Sequence, residues 1–314
     1  MITFVLNINL LGLMKRQLPE LPQGGKYIDI LTDWSFKRVF SGASNKRNLI
    51  ELLNDLLDGE KHIRDLVYLP TEELGDNREQ RRIIFDLKCF GDKGEIFLLE
   101  MQRVAHRNFR DRTVFSTSRI ISNQYAQGDD YRNTVLPEVY FIGILDFRMD
   151  PEEQQRYIRR VELTDRDTGK IFYPKLKYIF LKLANFVKTD AEIRTDMDQW
   201  FWLFRHLHKA DRLPAFLKKR VFSRIFNIAE IANLTTEELM AYNASMQAKW
   251  DWDNAVAYAV DAALEKERAK TAKLLEAERA EKLDAARAIK ELGVLTNEQI
   301  AEKFKLSLAI VEGL

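Results

Sequence analysis

The clearest periodicity in the chain lies in NKRNLIELLNDLLDG (45–59). Leu49, Leu52, Leu53, Leu56 and Leu57 recur at helical spacing, which lines one face of a helix, and Gly59 marks its end. Upstream, Asp33 reads as the N-cap of DWSFKRVFSG, where Trp34, Phe36, Val39 and Phe40 form an apolar stripe that Gly42 stops. The period then shortens. Residues 63–74 read as a short strand and turn. RRIIFDLKCF (81–90) and GEIFLLEMQR (94–103) read as two strands joined by a hairpin turn at Gly91–Gly94. Both are apolar on both faces, as strands covered by helices on each side are. Residues 107–128 predict a helix ended by Gly128, and VLPEVYFIGILDF (135–147) a buried strand. RYIRRVEL and KLKYIFLKLANF are strand-like runs around the turn DRDTGK, and from residue 196 the pattern is helical.

Strands and helices in this order predict an α/β core, with an all-helical C-terminal region that includes a long helix. The divisions are an N-terminal extension (1–26), a core domain (27–190), a helical region (191–253), a long charged helix (254–292) and a small helix-turn-helix-like end (293–314). Between 265 and 291 the long helix carries eight Lys/Arg against seven Asp/Glu, and its apolar positions are mostly Ala. It reads as a solvated arm or a coiled-coil element, and so as the place for a homo-oligomer contact. In the last segment Thr296 is an N-cap with Gln299 at its third helical position, the capping-box pattern, and Ser307 starts another short helix.

Charge narrows the function. The net charge is +1 with 31% charged residues, so DNA binding must come from local patches and not from bulk charge. A single cysteine, Cys89, excludes an internal disulfide framework and suggests a reduced, cytoplasmic protein. Cys89 sits in an apolar strand and reads as a small buried hydrophobe. No apolar run is long enough for a membrane span. The apolar start, MITFVLNINLLGL, lacks a basic region ahead of it and does not read as a signal peptide; Met14 is an alternative start. Nucleotide-binding glycine motifs and zinc spacings are absent, and His206 and His208 stand two apart on a helix, where they do not face each other.

The chemistry concentrates in DLKCFGDKGEIFLLEMQ (86–102). Strand alternation puts Asp86 and Lys88 on one face, and Glu100 and Gln102 on one face of the next strand. A turn at 91–94 pairs residues whose numbers sum to about 186, so Asp86 falls opposite residue 100. Two carboxylates then meet in an otherwise apolar sheet, which is costly unless something compensates. A divalent cation does so, and magnesium in particular takes carboxylates, waters and phosphate oxygens. Spacing alone leaves a second reading open: the acids pair with Lys or Arg of the turn, or the register slips by one and separates them.

The pattern D…E-x-Q resembles the PD-(D/E)XK nuclease superfamily, and within it the recombination-promoting nuclease / transposase family. The matching pieces, in order, are TDWSFKRVFSG (32–42), LLNDLL (52–57), DLKCFGDKGEIFLLEMQR (86–103), DRTVFSTSRIISNQYAQGDDY (111–131) and VYFIGILDF (139–147). The resemblance covers residues 27–150. It implies a restriction-endonuclease-like mixed sheet core flanked by helices. It also implies an Mg2+- (or Mn2+-) dependent DNA endonuclease in recombination or mobile-element activity, with Asp86 and Glu100 as metal ligands. Gln102 falls where many members carry the catalytic Lys. A neutral amide can orient an attacking water but brings no positive charge. Lys88 and Lys37 are candidates for that charge, and Glu51 resembles the extra helical acid of some members. Arg110, Arg112 and Arg119, on one helix, are candidates for gripping the DNA backbone, an ordinary solvated face being the other reading. The absence of the Lys leaves a rival function: a nuclease fold that holds DNA or a protein partner without cutting it. A helical scaffold built on the 254–292 arm is a third reading, and it leaves the acids unexplained.

Overall fold

A computed structural model describes residues 25–73, 83–124, 132–133, 135–150, 152 and 156–314. All but two residues of the expected N-terminal extension, and the expected helix stop at Gly128, lie outside them. The first helix, α1 (Asp33–Phe40), is capped one residue earlier than expected. Thr32 is the N-cap, with Oγ1 accepting from the Ser35 N–H at 3.3 Å, and Asp33 is the first helical residue. α2 (Lys46–Leu57) is the predicted leucine helix, and Leu49, Leu52, Leu53 and Leu56 are fully buried. Burying a leucine side chain is worth roughly 1.5–3 kcal/mol. α2 ends in left-handed backbone at Asp58 and Gly59 (φ 48° and 79°), a conformation Gly59 adopts without strain.

The strands are β1 (Leu66–Tyr68), β2 (Glu72–Glu73), β3 (Ile83–Ile84), β4 (Leu87–Gly91), β5 (Ile96–Gln102), β6 (Val139–Leu145), β7 (Ile158–Thr164) and β8 (Ile171–Lys182). The main sheet has the order β1-β4-β5-β6-β8-β7, and β2 and β3 form a separate pair. It is a mixed sheet: β5, β6 and β8 run parallel, while β1, β4 and β7 pair antiparallel to their neighbours. The run expected as one strand over 81–90 is broken at Phe85–Asp86 into β3 and β4. α3 (Phe109–Ser122) follows β5.

The two faces of the sheet are both buried, as the double-sided apolarity of the strands predicts. Ile96 and Leu98 of β5 join Phe109 and Ile120 of α3, Phe141 of β6 and Phe180 of β8 in one cluster. Phe97, on the opposite face, is fully buried and stacks on Tyr140. α4 (Asp196–His206) and α5 (Arg220–Ala229) build a second aromatic core with α1, in which Trp200 meets Phe40, Phe204 and Phe222.

The long helix, α6 (Thr236–Leu292), begins well before the predicted 254 and runs unbroken for 57 residues. A contact boundary falls within it, after Met246. Beyond that boundary α7 (Asn297–Phe304) and α8 (Leu308–Glu312) close a small core of Ala286, Ile300, Ala301 and Val311. The Thr296–Gln299 capping box forms as the sequence predicts. Among the described residues no helix is long and apolar enough to cross a membrane.

Candidate active site

The hairpin of β4 and β5 has the predicted register. Leu87 pairs with Leu99 and Cys89 with Phe97, so paired residue numbers sum to 186. Regular pairing stops at Leu87. Asp86 lies one step beyond, where its Oδ2 accepts a hydrogen bond from the Met101 N–H at 2.6 Å. The break at Phe85–Asp86 therefore releases Asp86 from the ladder, and its carboxylate binds the backbone beside Glu100. Glu100 and Gln102 stand at the carboxyl end of β5, next to the ends of the parallel strand β6. Open α/β sheets bind ligands at this end of their strands. Glu100 is paired with Gly143, where an added Cβ would lie 2.9 Å from the Phe180 ring, so only glycine fits beside this acid.

Glu100 feels the charge of Asp86. Burial pushes the Glu100 carboxyl up to about 7; the Asp86 charge adds to this and Arg112, 3.6 Å away, opposes it. Burial likewise raises Asp86, the Met101 N–H lowers it, Asp33 raises it and Lys37 lowers it. Each acid thus has a helical cation: Lys37 from α1 for Asp86, and Arg112 from α3 for Glu100. Lys37 is itself paired with Asp33 at 2.8 Å. Lys88 lies opposite Leu98, on the strand and not at its end.

Gln102 is 8% exposed. Its Nε2 donates to the Val104 carbonyl at 2.9 Å, while its buried Oε1 has no hydrogen-bond partner among the described residues. An orphaned buried acceptor two residues along the strand from Glu100 suits a hydrogen-bonding water. Among the described residues no three His, Cys, Asp or Glu side chains converge in a metal-holding group. The residues that would fit a magnesium-type ion are Asp86 and Glu100, completed by water, with the Gln102 amide oxygen left to accept from such a water.

The other sequence candidates sit elsewhere. Glu51 lines a 650 Å³ cleft with Lys46, Arg47 and His62, and the helical acid that acts on Asp86 is Asp33. Asp33 was legible only as a capping residue, because its reach to Asp86 depends on how α1 packs. Of the three arginines of α3, Arg112 reaches Glu100, while Arg110 pairs with Asp150 at 2.5 Å and Arg119 lies over the Phe115 ring. His206 ends α4 and His208 belongs to the following turn. Cys89 is fully buried and its thiol is pushed up to about 12 by burial, so it is no nucleophile.

A family profile described as PD-(D/E)XK nuclease family transposase matches residues 30–259. Neither the curated proteins nor the solved structures gave a match.

Proposed function

Because the chain belongs to the PD-(D/E)XK nuclease family transposases, we propose that it is a metal-dependent DNA endonuclease, acting in recombination or mobile-element activity, with Asp86, Glu100 and Gln102 as its centre. One observation carries this reading: the buried Glu100 carboxyl at the carboxyl end of β5 feels the charge of Asp86, and two residues along the same strand Gln102 keeps an unsatisfied amide oxygen. Bound Mg2+ or Mn2+ would neutralise phosphate charge and acidify a water. Asp86 and Glu100 would hold the cation. Gln102 Oε1 would accept a hydrogen bond from a water there and orient it. Lys88, Lys37 and Arg112 supply positive charge toward the scissile phosphate. Oligomer contacts belong to α6, where Leu264, Leu274 and Leu275 are exposed. The α7–α8 end carries Lys303 and Lys305 against Glu298, Glu302 and Glu312, a mixed surface, and this reading favours the core for DNA contact.

A second reading is favoured by Gln102 itself, which stands where the superfamily pattern has a Lys: a nuclease fold that binds DNA or a protein without cutting. Nicking of supercoiled plasmid separates the two. Wild type should nick with Mg2+ and not with EDTA. Asp86→Ala and Glu100→Ala should each lose about a hundredfold or more, as removal of metal ligands does. Lys88→Ala should slow cleavage. Equal nicking by all these proteins would sink the nuclease reading, and a wild-type rate in Lys88→Ala would remove Lys88 alone.

A further inference from the structure

Arg112, Phe115 and Arg119 follow one another along α3 at intervals of three and four, so they share one face of the helix. Arg112 anchors that face at the acid pair through its 3.6 Å contact with Glu100. The Arg119 guanidinium lies 5.2 Å from the centre of the Phe115 ring. Phe115 is 51% exposed, while the buried residues of α3, Phe109, Thr113, Thr117 and Ile120, point away from this face. Arg112 and Arg119 are separated by about 10.5 Å of helix rise. α3 carries three arginines and one acid, Asp111. Arg110 is not part of the stripe, since it turns to Asp150.

Arginines alone would grip phosphates on any DNA. An exposed phenylalanine between them adds nothing to that grip. It needs a flat apolar partner, and in a paired duplex the base faces are already stacked on one another. An unpaired strand offers one free face per nucleotide, and arginine with aromatic stacking is how single strands are held. We propose that α3 receives an unpaired DNA strand beside the acid pair, with a base on Phe115 and the flanking phosphates on Arg112 and Arg119. The protein then favours single-stranded or flapped DNA over full duplex. This deepens the nuclease reading and takes the place of the stripe from it.

Fluorescence anisotropy tests the proposal on the full chain in EDTA, so binding is read without cleavage. The probes are a labelled single strand and the same sequence as blunt duplex, at one salt concentration. The single strand should bind about tenfold tighter, the scale of one stacked base. Phe115→Ala should bring the two to parity and Phe115→Trp should keep the preference. Arg119→Ala should weaken both and lower the salt slope by about one. Equal wild-type affinities, or a ratio that Phe115→Ala leaves unchanged, would overturn the proposal. A preserved ratio in a protein that nicks no plasmid would count against the nuclease reading alone; plasmid nicking with no Phe115 dependence would count against this proposal alone.

Discussion

Replacing Glu100 with glutamine should stabilise the metal-free protein at alkaline pH. The Glu100 carboxyl titrates at about 7, raised by burial first and by Asp86 second, against an ordinary value of 4.5. Between those values the folded protein keeps a proton that the unfolded chain has lost. Stability therefore falls as pH rises through this window, because deprotonation is easier in the unfolded state. The gap of about 2.5 pH units corresponds to roughly 3 kcal/mol. The side chain is only 21% exposed, so solvent screening takes little from this. Glutamine has the shape of the protonated acid and carries no charge to bury. Glu100→Gln should match wild type near pH 4.5 and exceed it by up to roughly 3 kcal/mol near pH 8. Asp86 is raised too, chiefly by burial, so part of the gain belongs to the pair. Urea unfolding in EDTA at the two pH values, with equal m-values, measures the difference. Saturating Mg2+ should narrow it, since a ligand of the native state stabilises wild type by mass action. A variant no more stable than wild type at pH 8 in EDTA would refute the burial of a charged acid pair here.

Asp198 should behave in the opposite sense. Its side chain is fully buried; although burial raises its pKa, Lys188 at 2.7 Å, the Arg194 and Thr195 N–H groups and the Tyr157 hydroxyl carry it down to about 2. The stability it contributes is present above pH 3.8 and lost as pH falls through 2. Asp198→Asn should therefore cost about 2 kcal/mol at neutral pH and little in strong acid, read by urea unfolding. Leu52→Ala, in the fully buried face of α2, should cost 2–5 kcal/mol by the same measurement, with its m-value unchanged.

Local chemistry made much of this molecule legible. The α2 face, the Thr296–Gln299 capping box and the β4–β5 register each follow from spacing that no distant contact overrides. The pairing sum of 186 sets Asp86 opposite Glu100 from the sequence alone. Three features were not legible, each for a physical reason. Thr32 and Asp33 can both cap a helix, and only packing decides which residue takes the extended backbone of the cap. The break at Phe85–Asp86 interrupts a run that reads as one strand, because the Asp86 carboxylate bonds to the Met101 N–H in place of a ladder pair. The early start of α6 at Thr236 crosses a stretch rich in residues that suit helix, with no punctuation at 254 to stop it.

Gln102 and the raised Glu100 are two sides of one fact. A lysine at position 102 would set a cation among the acids and pull Glu100 toward its ordinary range. Glutamine brings no charge. It spends its N–H on the Val104 carbonyl and leaves the site an acceptor. Arg112 opposes the rise of Glu100, yet burial and Asp86 outweigh it. The metal-free site thus holds a proton near neutral pH, and a cation that enters must displace it. Metal affinity, read by titrating Mg2+ at several pH values, should rise by up to tenfold per unit below about 7, where binding releases the Glu100 proton, and level off above it. In this chain the missing lysine makes the acid pair more dependent on the cation, and the cation more dependent on pH.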